Sequence, residues 1–470
     1  MKEDKKEMLG TAPVGKLLFK LAIPTVVAQL INMLYNIIDR IYIGHMPGNG
    51  DLALTGVGVC LPIIMLVSAF AMLVGTGGAP RSSIFMGKKD MESAEKTIGN
   101  CFALQILISL ILTTLLLIFN KPLLLAFGAS ENTIEYALSY MNIYSIGTLF
   151  VQITLGMNAF ISAQGFTKVS MLSVLVGAIT NIALDPLFIF VFKMGVTGAA
   201  TATIISQLIS AIWACWFLFS KKALIRIKPK YIRLSPKIIF PCIYLGMATF
   251  IMQASESVIF VCFNASLQKY GGDIAVGAMT IFSSIMQLAM LPIQGIAQGA
   301  QPISSYNYGA GNVERVKKTF WLLLASCMCY STLLYLTVMI FPNLFASMFT
   351  NKPELIEYAS KWVRIYFAVM FVFGAQISCQ MTFVSIGYAT ASIIVAIFRK
   401  FILLLPLIYL LPAVMENHVL GIYLAEPIAD IIAVIFTISL FAYEFRKALK
   451  KLELKNLENS KNSDSEIKTA

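Results

Sequence analysis

Apolar residues dominate the chain in long runs, and short polar segments separate the runs. A membrane-spanning helix needs about 20 mostly apolar residues. On that measure the pattern predicts twelve spans, at residues 17–43, 53–79, 94–119, 134–160, 168–192, 196–219, 236–266, 274–300, 316–342, 356–386, 390–413 and 419–443. The first span is unusual, because within Ala22 to Gly44 the apolar pattern is broken by Gln29, Asn32, Asn36 and Asp39. Their spacings of 3, 4 and 3 stack them on one helical face, with Tyr35 beside it. A polar face inside hydrocarbon should turn toward protein or water, because an intramembrane carboxylate costs a few kcal/mol.

The pattern also repeats. Gly50-Asp51-Leu52-Ala53 returns as Gly272-Asp273-Ile274-Ala275, at an offset of 222 residues. In the same register Gly77, Pro80, Ser82, Ser83 and Gly87 meet Gly299, Pro302, Ser304, Ser305 and Gly309. Farther on, Glu135-Tyr136-Ala137 meets Glu357-Tyr358-Ala359, and Gly165 meets Gly387. The expected fold is therefore an all-α polytopic membrane protein with 12 transmembrane helices in two six-helix bundles. Each half has an even number of spans, so a pseudo-twofold axis along the membrane normal should relate them, as in some secondary transporters. The expected domains are an N-terminal lobe at 1–220, a basic linker at 221–237, a C-terminal lobe at 238–446 and a polar tail at 447–470.

Composition agrees with this class. The chain is 58% hydrophobic and 13% charged, whereas soluble domains are nearer 25% charged. The first twenty residues are too polar to supply the apolar core of a signal peptide. A net charge of +12 is compatible with a nucleic-acid partner, but 27 of the 36 Lys and Arg fall on one side of the predicted topology. These include Lys2, Lys5, Lys6, Arg81, Lys88, Lys228, Arg315 and the tail from Arg446 to Lys468. That is the positive-inside pattern, with both termini cytoplasmic in a cell membrane and no nucleic-acid partner. The eight cysteines all lie in apolar runs and read as packing residues. No nucleotide loop, HExxH, paired CxxC or GxSxG motif occurs, so neither an enzyme nor a bound cofactor is expected.

Few intramembrane charges remain. Asp39 and Asp185 fall at similar depth in the first half, and their positions in the second half hold Val261 and Leu407. The scaffold is duplicated and the acids are not, which points to a site rather than a requirement of the fold. Burial disfavours a charged carboxylate, so a proton, sodium or an organic cation would relieve the pair, and the three would compete. The alternative is that each acid only hydrogen-bonds a neighbouring helix. Pro186 and Pro24 weaken the backbone ladder nearby, or are ordinary transmembrane kinks. In the second half Glu256 shows no partner by sequence and suggests a cavity position. Arg399-Lys400 faces Glu426 and Asp430 on the following span, with Lys400 and Asp430 expected as a structural ion pair. Gln287, Gln294, Gln298 and Gln301 either line water or bond between helices.

These motifs resemble the multidrug and toxic compound extrusion (MATE) family, in particular its bacterial MepA-like branch. The carriers are LAIPTVVAQLINMLYNIIDRIYIG, MNAFISAQGFTK, NIALDPLFIFV with VTGAATATIISQ, and IAQGAQPISSYNYGAGN. The resemblance covers about residues 12–445. It implies two six-helix lobes that export cationic drugs and dyes in exchange for protons or sodium. By position, Asp39 and Asp185 look like the family's ion-coupling acids, with Asn181 and Thr203 completing their network. Gln29, Asn32, Tyr35 and Asn158 resemble positions that contact substrate, Asn36 on the same polar face is expected to join them, and Glu256 resembles a seventh-helix acid of another branch. That branch also uses a tenth-helix acid, where this chain offers Gln376 and Gln380. The expected function is a monomeric secondary active exporter of organic cations, with Na+ at Asp39/Asp185 the one metal ion it would take. A lipid-linked precursor flippase of related fold is the alternative, and it predicts a basic cavity.

Overall fold

The computed structural model describes residues 8–47 and 50–469, with side chains through residue 458. Lys2, Lys5, Lys6 and the side chains of Lys461 and Lys468 therefore lie outside the described residues. Among the described residues all regular structure is helical. The first half comprises α1 (Val14–Gly44), α2 (Gly50–Gly87), α3 (Met91–Ala126), α4 (Ile134–Ala163), α5 (Thr167–Val191) and α6 (Val196–Phe219). Next comes one 74-residue helical stretch, Pro236–Gly309. A continuous helix of that length would run about 110 Å, far beyond a bilayer. Gly272, at φ 64° and ψ −164°, breaks it into α7 (residues 236–271) and α8 (residues 273–309). Only glycine adopts that backbone conformation cheaply.

The second half continues with α9 (Val313–Ile340), α10, α11 (Ala389–Val414) and α12 (His418–Thr469). With α10 counted as one broken span, the long apolar helices among the described residues number twelve. α10 consists of Pro353–Tyr366 and Met370–Ser385, bent by 51°, where the sequence suggested one uninterrupted span. Just past the bend, Ser331 Oγ of α9 donates to the Phe371 carbonyl oxygen at 2.8 Å. α12 runs beyond the predicted span at 419–443, carrying the polar tail as a helix.

The equivalent spans α5 and α11 each contain a π-helical stretch, Leu187–Val191 and Phe398–Leu404. Pro186 and Pro406 have no N–H to donate. Bonds from residue i+5, such as Phe192 N to Leu187 O at 2.9 Å, take up the slack.

The core residues sort by half. Val74, Met157, Phe160 and Phe217 form one first-half cluster. Phe282, Trp362, Tyr366 and Tyr423 centre a second-half cluster. A smaller group joins the halves, with Leu9, Leu17 and Leu21 against Ile293 and Ala297.

At the end that carries the basic loops, the halves meet through repeat-related glycines. A methyl group on Gly87 would lie 2.0 Å from the Tyr306 carbonyl oxygen, and one on Gly309 would lie 2.0 Å from that of Ile84. Ile84 and Tyr306 are themselves one repeat apart, so the crossing of α2 and α8 is reciprocal. Thr25 Oγ1 donates to Gly295 O at 2.6 Å, and Gln29 Nε2 to Gln298 Oε1 at 3.3 Å, tying α1 to α8. Phe70 packs on Phe250 at 4.9 Å, nearer mid-depth.

The segment between the halves is seated on the first one. Gln164 Oε1 accepts from Leu224 N at 2.8 Å and Ile225 N at 3.0 Å. Asn100 Oδ1 accepts from Ser235 N at 2.7 Å. Lys228 pairs with Glu95, and Ala223 and Ile227 join the first-half core. At the chain start, Leu9 is fully buried. Its carbonyl accepts from Asn307 Nδ2 at 2.8 Å and Arg315 Nη2 at 3.1 Å.

Candidate functional site

The polar face of α1 meets α4, α5 and α6. Asp185 is fully buried and Asp39 is 9% exposed, and their carboxyl groups stand within hydrogen-bonding reach of each other. Asn181, one turn earlier on α5, donates from Nδ2 to Asp185 Oδ1 at 3.2 Å. Asp39 Oδ1 and Asp185 Oδ2 find no donor among the described residues. Two carboxylates in contact supply each other no proton, and burying such a pair without a counter-charge is expensive. The chemistry of this donor set suits one small positive guest: a shared proton or a monovalent cation.

Aromatic hydroxyls surround the pair. Tyr35 reaches the side chains of Asn36 and Gln207 and lies in the field of Asp39. Tyr140 lies close to Asp39 and reaches the Thr203 hydroxyl, so Thr203 joins the pocket through Tyr140. Tyr140 stacks on Tyr144, one turn away, at 6.2 Å between ring centroids. Sequence reasoning missed Tyr140, Tyr144 and Gln207. A signal existed, because Tyr136, Tyr140 and Tyr144 recur every fourth residue on one face of α4.

The other first-half candidates are more dispersed. Gln29 is spent on the contact with Gln298 between the halves. Asn36 is exposed and donates to the Asn32 carbonyl at 2.6 Å within its own helix. Asn158 Nδ2 donates to Ser173 Oγ at 3.3 Å, leaving Asn158 Oδ1 without a donor.

The second half corrects two expectations. Lys400 does not pair with Asp430. Arg399 Nε bonds Asp430 Oδ1 at 2.8 Å, and Arg399 Nη2 bonds Glu426 Oε1 at 3.2 Å. Glu256 does have a partner, because Lys400 Nζ lies 2.7 Å from its Oε1. The reason is local geometry. Adjacent residues on a regular α-helix point about 100° apart, whereas the π-helical stretch of α11 lets both Arg399 and Lys400 turn inward and be buried. Arg399 also lies over the Phe373 ring at 4.8 Å. Gln376 is buried, and Gln380 donates to Ser392 Oγ at 2.6 Å.

The MatE family model matches residues 24–187 and again residues 248–410, one match in each half. The chain belongs to the MatE family. Its relatives include the multidrug export protein MepA of Staphylococcus haemolyticus, 22% identical over 94% of this chain and 97% of that protein. An FAD transporter of Shewanella oneidensis is 23% identical over 90% of this chain and 93% of its own. A crystal structure of MATE in a bent conformation shares the fold at a TM-score of 0.89 and 22% identity, covering 96% and 99% of the two chains. This MatE chain is thus a multi-span membrane transport protein with multidrug exporters among its homologues, and the family gives no reason to look for an enzyme.

Proposed function

We propose that this MatE protein is a secondary active exporter that exchanges organic cations for H+ or Na+ by alternating access. The observation that carries the reading is the contact between Asp39 and Asp185 in a buried pocket. A single positive charge satisfies that pair, so coupling ion and cargo exclude each other. Asn181, Thr203, Tyr35 and Tyr140 orient the acids. Gln29, Asn32, Asn36, Asn158 and Glu256 offer polar contacts to the cargo along the way. The lobes at 1–220 and 238–446 rock about the glycine crossing of α2 and α8. The basic end lies in the cytoplasm of a plasma membrane, and the working unit is a monomer.

The relatives are named for drugs and for FAD, and the acids of the first half favour a cation. The flippase reading needs a basic cavity, but Arg399 and Lys400 are both held by carboxylates. The test is ethidium efflux from vesicles with pH and sodium gradients imposed separately. One gradient should drive efflux, and Asp39→Asn should abolish it while the protein still folds and inserts. Undiminished efflux in that variant refutes the coupling role.

A further inference from the structure

The charged cluster of the second half is asymmetric in a way the exchange at Asp39 and Asp185 does not use. Arg399 and Lys400 bring two positive charges to three carboxylates, those of Glu256, Glu426 and Asp430. Arg399 is fixed by two carboxylates through its planar fork and by the ring of Phe373. Lys400 has one close carboxylate, on a flexible four-carbon stem. The side chain of Lys400 is 3% exposed, while that of its partner Glu256 is 55% exposed. The buried ammonium therefore pairs with a side chain that stays about half exposed. The carboxylate of Glu426, bonded to the adjacent Arg399 at 3.2 Å, belongs to the same buried cluster and lies within electrostatic range of Lys400.

We propose that Lys400 is a tethered cation that competes with cationic cargo for Glu256 and withdraws toward Glu426 when cargo arrives. Detaching a buried ammonium with nowhere to go is strongly unfavourable. Here the surplus carboxylate gives it a second acceptor, and the arriving cargo restores one positive charge to Glu256. Lys400 thereby sets how strong a cation must be to bind, acting as a specificity-determining residue of the second lobe. The inference rests on the cargo being a cation.

The test measures ethidium binding by fluorescence anisotropy on the full-length protein in nanodiscs, beside ethidium efflux by the unmodified protein in vesicles. Lys400→Met and the polar Lys400→Gln should tighten ethidium binding about tenfold or more, the scale of close charge pairs. The double variant Glu256→Gln/Lys400→Gln, which leaves no unpaired charge at that contact, should lose the gain. Glu426→Gln, which removes the second acceptor and leaves Lys400 in place, should weaken binding. Unchanged or weaker binding in folded Lys400→Gln, a gain that survives in the double variant, or unaltered affinity in Glu426→Gln each overturns the proposal. Absence of ethidium efflux by the unmodified protein instead overturns the cation-export reading.

Discussion

The glycine crossing of α2 and α8 gives the most direct test of how the halves close. Replacing Gly309 with Ala places a methyl group 2.0 Å from the Ile84 carbonyl oxygen and 2.9 Å from its Cα. The obstacle is backbone, so no side chain can rotate away. Ordinary carbon contacts need about 3.5 Å, so the helices must part by more than about 1 Å. Overpacking of this kind costs about 1–3 kcal/mol. Alanine in a helix interior returns only about 0.5–1 kcal/mol relative to glycine, so closure is weakened. A bias of 1–3 kcal/mol shifts the ratio of closed to open states about 5- to 150-fold. Gly87→Ala should act in the same direction, and the double variant should cost less than the sum, because one parting of the helices relieves both clashes. Spin labels at the exposed positions Lys89 and Lys318, after replacement of the eight native cysteines, report the separation of the basic ends. An unchanged distance distribution in well-folded Gly309→Ala would refute the reasoning.

Other perturbations probe the two buried polar centres and the chain start. Arg399→Ala leaves Asp430 and Glu426 without their bonded cation, so it should destabilise the protein by about 3–5 kcal/mol. A thermal unfolding midpoint equal to that of the parent would count against the cluster as a structural unit. Asn307→Ala strips donors from the Leu9 and Ile303 carbonyls, at a cost of about 1–3 kcal/mol. Hydrogen exchange should quicken at residues 8–12, and unaltered protection there would mean that Arg315 alone holds the segment. Tyr140→Phe keeps the ring and removes the hydroxyl. It should lower the rate of ion-driven dye efflux severalfold with little change in folding, and a normal rate would remove Tyr140 from the pocket.

How much the sequence disclosed depended on the range of the interaction. The twelve spans and the duplication were legible because hydropathy and repeat register are properties of the chain itself. Gly87 and Gly309 stood out as a matched pair for the same reason, although only the fold reveals that they press against each other's helices. Asp39 and Asp185 were legible because carboxylates are rare in apolar spans, whereas Asn181 was named only through the family resemblance. The partner of each charge in the second half was not. Whether Lys400 reaches Asp430 or Glu256 depends on helix rotation, and the π-helical stretch at Phe398–Leu404 changes that rotation without a clear mark in the sequence. The bend in α10 was also hidden, because no proline or glycine lies at residues 367–369. Tyr140 was overlooked because a tyrosine in a membrane core usually reads as packing.

The linker has a mechanical consequence. Its backbone is bonded to Gln164 and Asn100, and its apolar side chains enter the first-half core. It is therefore not a slack tether whose length sets how far the halves may swing. Relative rotation has to be absorbed beyond the joint between Ser235 and Pro236, because Ser235 is the last backbone anchor and Ile239 and Cys242 at the start of α7 still pack in the first-half core. A polypeptide severed at that joint would leave the strap with the first piece, and reunion of the two pieces would depend on the interface between the halves alone.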